Sequence, residues 1–158
     1  MVINKQGIEL IKYFEQCKLK AYKDGKGIWT IGWGATFYED GSRVKQGDVI
    51  TQQKADALFE YHIKLFSSGV TKMVKAKLNS NQYSALVSFA FNCGLDDDAD
   101  VKPEGLGDST LLKLVNANPN NPAIRNEFMK WISKGTVNER GLTRRRKMEA
   151  DLYFKPEL

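Results

Sequence analysis

FEQCKLKAYKDGKGIWTIGWGAT, residues 14–36, is the stretch whose reading decides the fold. Upstream of it, Ile8, Leu10, Ile11 and Phe14 recur at helical spacing, so a short amphipathic helix over 4–14 brings Glu15 to its C-terminal end. The period then changes. Leu19 and Ala21 on one side, Ile28 and Thr30 on the other, flank Asp24-Gly25-Lys26-Gly27, a glycine-rich turn between β-prone runs that reads as a hairpin. Gly32 and Gly34 around Trp33 signal close backbone approach or a bulge. Glu39-Asp40-Gly41-Ser42 is a second turn, which predicts a small three-stranded sheet over 18–45. Glu15, Asp24 and Thr30 thus gather on a helix end and the hairpin after it. Two carboxylates and a hydroxyl can protonate a leaving oxygen and aim a water, the equipment for cutting a glycosidic bond without a cofactor.

Beyond this stretch the pattern is helical. Thr51 is a candidate N-cap for a helix with Ala55, Leu58, Phe59, Ile63 and Phe66 on one face, interrupted at Gly69 and resumed over 70–78. Ser80 reads as the cap of QYSALVSFAFNCG, apolar almost all round and therefore the central core helix, ended by Gly94. Residues 95–108 form an acidic loop. Ser109 caps a helix over 110–117, a second helix covers Ala123–Lys134 up to Gly135, and Thr143 to about Phe154 forms the last. The expected class is α+β: one domain over 1–158, with a sheet lobe at about 15–50 and a helical lobe at about 70–158 that includes the N-terminal helix.

Composition agrees with a soluble globular chain: 158 residues, 42% hydrophobic and 27% charged. The net charge of +5 favours acidic partners, nucleic acid, anionic membrane or wall polymer alike. Cys17 and Cys93 are isolated and read as buried free thiols, and with a single histidine, His62, no metal site is expected. Charges at Lys5, Glu9 and Lys12 break any secretory leader at the N-terminus, and no apolar run reaches the ~20 residues of a membrane span. The expectation is a chain made in the cytoplasm that reaches any outer target by another route.

The chain resembles the phage-type lysozyme family that includes the T4 and lambdoid endolysins, glycoside hydrolase family 24. The likeness is carried by FEQCKLKAYKD and GIWTIGWG around Glu15, Asp24 and Thr30. It continues through ITQQKADALF (50–59), QYSALVSFAFNCG (82–94), STLLKLVN (109–116), EFMKWISKG (127–135) and GLTRRRKMEADLYF (141–154). The resemblance implies a lysozyme-like fold with the active-site cleft between the two lobes. It implies a muramidase that hydrolyses the β-1,4 bond between N-acetylmuramic acid and N-acetylglucosamine in peptidoglycan, as a monomer without cofactor or metal. Glu15 would be the general acid, served by apolar neighbours such as Phe14; Asp24 would be the second carboxylate, and Thr30 would help hold the attacking water. Direct water attack with inversion calls for carboxyls about 6.5–9.5 Å apart, a covalent intermediate for about 5–5.5 Å.

Within Arg144-Arg145-Arg146-Lys147, one arginine of the last helix must face inward, and the resemblance gives it the task of orienting Glu15; Arg145 is the first candidate and Arg146 the second. Asn92, Trp33 and the Gly107–Thr110 segment are candidate substrate contacts. Trp29 reads as core rather than as a sugar platform. Lacking a leader, the enzyme would wait in the host cytoplasm until a holin pore releases it.

The chain departs from the family at three places. Ala35 stands where many relatives carry histidine, GWG replaces the commoner GYG, and LDDDADVKPEGLGD (95–108) is longer and more acidic. Asp96, Asp98 and Asp100 alternate as in a calcium loop, but Val101 occupies the position of the sharp-turn glycine, so a solvated loop is the reading. Two rivals remain. A catalytically degenerate wall- or polymer-binding module would not require Glu15, Asp24 and Thr30 together, and no DNA-reading helix or RNA-binding aromatic pattern supports nucleic acid as the partner. A lytic transglycosylase would need the acid but not the water-holding pair.

Overall fold

The computed structural model describes residues 1–157. Helices α1 (Lys5–Glu15), α2 (Gln52–Met73), α3 (Ser80–Cys93), α4 (Thr110–Ala117), α5 (Ile124–Phe128) and α6 (Glu139–Tyr153) accompany one antiparallel pair, β1 (Lys18–Lys23) and β2 (Trp29–Gly32). The class is α+β, as expected. The chain divides into two compact units, one of Ile11–Leu65 and one of Met1–Leu10 with Phe66–Leu158.

In the 11–65 unit, β1 and β2 pair Tyr22 with Thr30 and Lys23 with Trp29. Ala21, Ile31, Ala35, Val44 and Leu58 are buried together, with Trp29, Tyr38 and Ile50 packed against them, so Trp29 does serve the core. The third strand does not form. Residues 35–49 contribute only single bridges, Ile31 with Ala35, Phe37 with Arg43 and Lys20 with Val49. Their amides are spent in local turns instead: Tyr38 N–H donates to Ser42 O (2.9 Å), Gly41 N–H to Tyr38 O (2.9 Å) and Asp48 N–H to Lys45 O (3.2 Å). A ladder needs those same donors free.

In the other unit α3 is the core helix anticipated from its all-round apolar face, buried without a break from Asn81 to Ala90. Phe89 meets Phe128 (5.8 Å) and Trp131 (5.3 Å) edge-on, and Phe128 meets Tyr153 (5.8 Å). The N-cap of α3 is Asn79 rather than Ser80. The Asn79 side chain accepts from Gln82 N (2.8 Å) while Gln82 Oε1 accepts from Asn79 N (3.0 Å), a closed capping box. Ser80 instead bonds Glu157.

Three further helix limits differ from expectation. Gly69 does not interrupt α2, and no helix covers 74–78. A Cβ on Gly69 would stand 2.5 Å from Leu95 Cδ1, so this glycine permits close packing rather than ending a helix. The Ala123–Lys134 helix shrinks to α5, after which Lys130 and Trp131 make tight turn bonds to Glu127 and Phe128. The last helix begins at Glu139 rather than at Thr143, which lies inside it with its hydroxyl donating to Glu139 O (2.7 Å).

The acidic loop is organised by one of its own carboxylates. Asp96 Oδ2 accepts from the amides of Glu104 (2.9 Å), Gly105 (3.2 Å) and Asp108 (3.4 Å). Both cysteines are free thiols, as expected, but each is only partly covered rather than buried.

Candidate active site

The three residues singled out from the sequence lie in the 11–65 unit. Glu15 is the last residue of α1, delivered there as the hydrophobic spacing required. The helix stops because Gln16 turns into the left-handed region at φ +53, its amide closing on Lys12 O (3.0 Å).

Asp24 starts the hairpin turn and is held by it. Its Oδ1 accepts from Lys26 N (2.8 Å) and Ile28 N (2.9 Å), while its own amide donates to Ile28 O (2.9 Å). One carboxylate oxygen is therefore committed to the turn, which fixes the direction of the other. Thr30 is 4% exposed, and its hydroxyl donates to Ile28 O (2.9 Å). A threonine whose proton is already given can only accept further hydrogen bonds, which suits it to receive one from a water.

Sequence analysis did not single out Tyr22. Tyr22 sits cross-strand from Thr30, half-buried. Burial first, then the negative fields of Glu15 and Asp24, hold its phenol above the ordinary value of 10.0. The tyrosine thus feels both carboxylates at once, and the pair, Tyr22 and Thr30 belong to one constellation. The register pairs Lys23 with Trp29 about a turn centred on Lys26, and this sets residue 22 against residue 30.

Gly34 completes this side. At φ +86 it occupies backbone space that only glycine enters freely, and a Cβ there would stand 2.7 Å from Glu15 Cδ and closer still to Oε1. Trp33 has its indole N–H bonded to Asp56 Oδ1 (2.9 Å) and Lys12 Nζ 4.9 Å above its ring. Ala35, in place of the histidine, is 5% exposed and pairs by backbone with Ile31.

Asn92, Arg145 and Arg146 come together in the other unit, around a residue that sequence reasoning missed. Glu149 is fully buried: Arg146 Nε stands 2.7 Å from its Oε1 as an ion pair without hydrogen-bond geometry, and Arg146 Nη2 donates to its Oε2 (3.2 Å). Arg145 Nε (3.2 Å) and the Ser88 hydroxyl (2.6 Å) also reach Oε2. Arg146 further donates to Asn92 Oδ1 (2.8 Å) and to Cys93 Sγ (2.6 Å). Both Arg145 and Arg146 are buried, at 3% and 0% exposure. The clue was the spacing, since 149 lies four residues from 145 and three from 146 on a helix. In the acidic loop, Asp96, Asp98 and Asp108 bring carboxylate oxygens within 4.8 Å of one another. Their mutual repulsion, after burial, raises the Asp108 carboxyl above 3.8.

The sequence matches the phage lysozyme family over residues 12–149. The chain belongs to the phage lysozyme family. It is therefore a glycoside hydrolase, with bacterial peptidoglycan as the material on which such lysozymes act. Among curated relatives, the endolysin of Acyrthosiphon pisum secondary endosymbiont phage 1 is 37% identical over 97% of this chain and 98% of its own length. The endolysin of Bacillus phage B103 is 38% identical over 99% of this chain, which spans only 56% of that relative. Among solved structures, the endolysin of Escherichia coli O157:H7 phage FAHEc1 superposes with a TM-score of 0.80 at 33% identity, covering 98% of this chain and 94% of that one. The muramidase domain of SpmX from Asticaccaulis excentricus does so with a TM-score of 0.76 at 30% identity, covering 98% of each. No helix of this phage lysozyme among the described residues is long and apolar enough to cross a membrane.

Proposed function

We propose that this phage lysozyme is a muramidase that hydrolyses the β-1,4 bond between N-acetylmuramic acid and N-acetylglucosamine, acting as one catalytic domain and as a monomer. Glu15 gives its proton to the glycosidic oxygen as the bond breaks, and Asp24 and Thr30 hold the water that attacks the opposite face of the sugar. The observation that carries this reading is Tyr22, opposite Thr30 and under the field of both Glu15 and Asp24. Because the Thr30 hydroxyl already donates to Ile28 O, a water there gives one hydrogen to Thr30 and the other to Asp24. Its lone pair is then turned outward to the anomeric carbon, which is direct attack with inversion. Arg145, with Arg146 second, takes the acid-orienting part, and Asn92 and Trp33 bind substrate. The enzyme waits in the host cytoplasm until a holin lesion exposes the wall, and its +5 charge then helps to hold it on an anionic polymer.

The test is clearing of outer-membrane-permeabilised Gram-negative cells by wild type and Glu15→Gln, with the released muropeptides identified by mass. Clearing by wild type alone, with hydrated reducing ends, is expected. Undiminished clearing by Glu15→Gln sinks the assignment of the acid. Anhydro ends would make the enzyme a lytic transglycosylase, and wall binding without any cleavage would make it a binding module.

A further inference from the structure

The chain from Gly32 to Gly34 is a three-residue loop closed by a reciprocal backbone pair. Ile31 N–H donates to Ala35 O and Ala35 N–H to Ile31 O, both at 2.8 Å. Its base is rigid, since Ile31 and Ala35 sit in the buried cluster at 0% and 5% exposure. Its tip is not rigid by itself: two of the three residues are glycines, at φ +61 and φ +86, with broad conformational freedom. Yet Gly34 is the residue pressed against the Glu15 carboxyl. The position of this tip sets the space in which Glu15 can lie.

Trp33 supplies the one side chain that can fix the tip. Its indole N–H reaches α2 and donates to Asp56 Oδ1 (2.9 Å). The same oxygen accepts from Gln52 Nε2 (2.9 Å), one turn earlier on that helix. The ring tilts against Phe59 at 6.0 Å, and Lys12 Nζ lies 4.9 Å from the Trp33 centroid and 5.3 Å from that of Phe59. Lys12 is three residues before Glu15 on α1. The last turn of α1 therefore touches the loop twice, with Lys12 over Trp33 and Glu15 against Gly34. Hydrogen bonds from Trp33 and then Gln52 hold the Asp56 carboxyl below 3.8, so the acceptor is ionised at working pH and the bond is charge-assisted.

We propose that Asp56 is a positioning residue for the acid: through the Trp33 indole it anchors the 32–34 loop and so sets where Gly34 confines the Glu15 carboxyl. This rests on Glu15 being the acid. The alternative is an exposed hydrogen bond of no consequence, as most such bonds on a solvent-facing helix are. The two differ in what is lost. Misplacing a catalytic group costs turnover out of proportion to stability, with ground-state binding little changed.

The experiment measures kcat and KM for release of reducing ends from uncrosslinked glycan strands, with Tm alongside, for Asp56→Ala, Asp56→Asn, Trp33→Phe and the double variant Trp33→Phe/Asp56→Ala. Asp56→Ala should lower kcat about tenfold with KM within about twofold, and Trp33→Phe should lower kcat as far while also raising KM, because the indole is a proposed substrate contact. Asp56→Asn, whose amide oxygen still accepts the indole N–H, should recover most of the loss. The double variant should be no worse in kcat than either single one, since both cut the same link. Glu15→Gln is run beside them. If it is inactive while Asp56→Ala keeps wild-type kcat, the anchor is refuted and the acid stands. A fall in Tm with kcat unchanged, or a loss not recovered by Asp56→Asn, also overturns the anchor. If Glu15→Gln stays active, it is the acid assignment that fails.

Discussion

Replacing Glu149 with glutamine should destabilise this phage lysozyme far more than any surface charge change. In the native state its carboxylate is ion-paired with Arg146 and accepts hydrogen bonds from Arg146 Nη2, Arg145 Nε and the Ser88 hydroxyl, all without solvent. Glutamine keeps the shape and one acceptor oxygen but removes the charge that compensates two guanidiniums. Breaking a buried pair from one side costs about 3–5 kcal/mol, because the remaining charge stays buried. Against a native stability of about 5–15 kcal/mol, that is a large share. At about 2–4 °C per kcal/mol for a chain of this size, Tm should fall by roughly 6–20 °C. The matched control is Asp151→Asn on the same helix. Asp151 also meets two cations, Arg125 (2.7 Å) and Lys147 (3.1 Å), but its side chain is 48% exposed, so the loss should stay under about 1 kcal/mol. Both are read by urea denaturation followed by far-ultraviolet circular dichroism, with the m-value checked to be unchanged. If Glu149→Gln costs no more than Asp151→Asn, burial is not what makes this cluster matter, and the reasoning fails.

The remaining predictions concern the site and the fold around it. Gly34→Ala should cut activity by about a hundredfold, since its Cβ would displace the Glu15 carboxyl. Gly41→Ala bears the same backbone strain at φ +85 with open space around it, so it should lose stability and keep kcat; equal activity loss in both would refute the steric account. His62 is 3% exposed, and burial, opposed by Glu39, holds its imidazole below the ordinary 6.5. The folded state then disfavours protonation, so the stability it contributes is full above pH 6.5 and lost as pH falls through the lower folded value. Tm should accordingly drop more between pH 7 and pH 5 in wild type than in His62→Gln, where parallel curves would count against it. Asn79→Ala should cost about 1 kcal/mol by opening the capping box, and Ser80→Ala much less, both measurable as urea midpoints.

What was legible in the sequence was local chemistry. The helix ending at Glu15, the Asp24 turn, the Gly94 stop and the bounds of α4 each follow from spacing or capping groups within a few residues. The order of motifs along the chain carried the family with them. The tertiary structure decided whatever depends on a distant neighbour. Gly69 reads as a break until Leu95 is seen filling the space a side chain would need. The third strand fails because its amides find closer partners in turns, and Asp96 organises its loop because three amides from residues 104–108 converge on its Oδ2. Tyr22 gains meaning only from register and Glu149 only from burial. The physical reason is common to them all. Propensity and capping act over one turn of chain, whereas desolvation, steric exclusion and competition for hydrogen bonds are settled by groups tens of residues away.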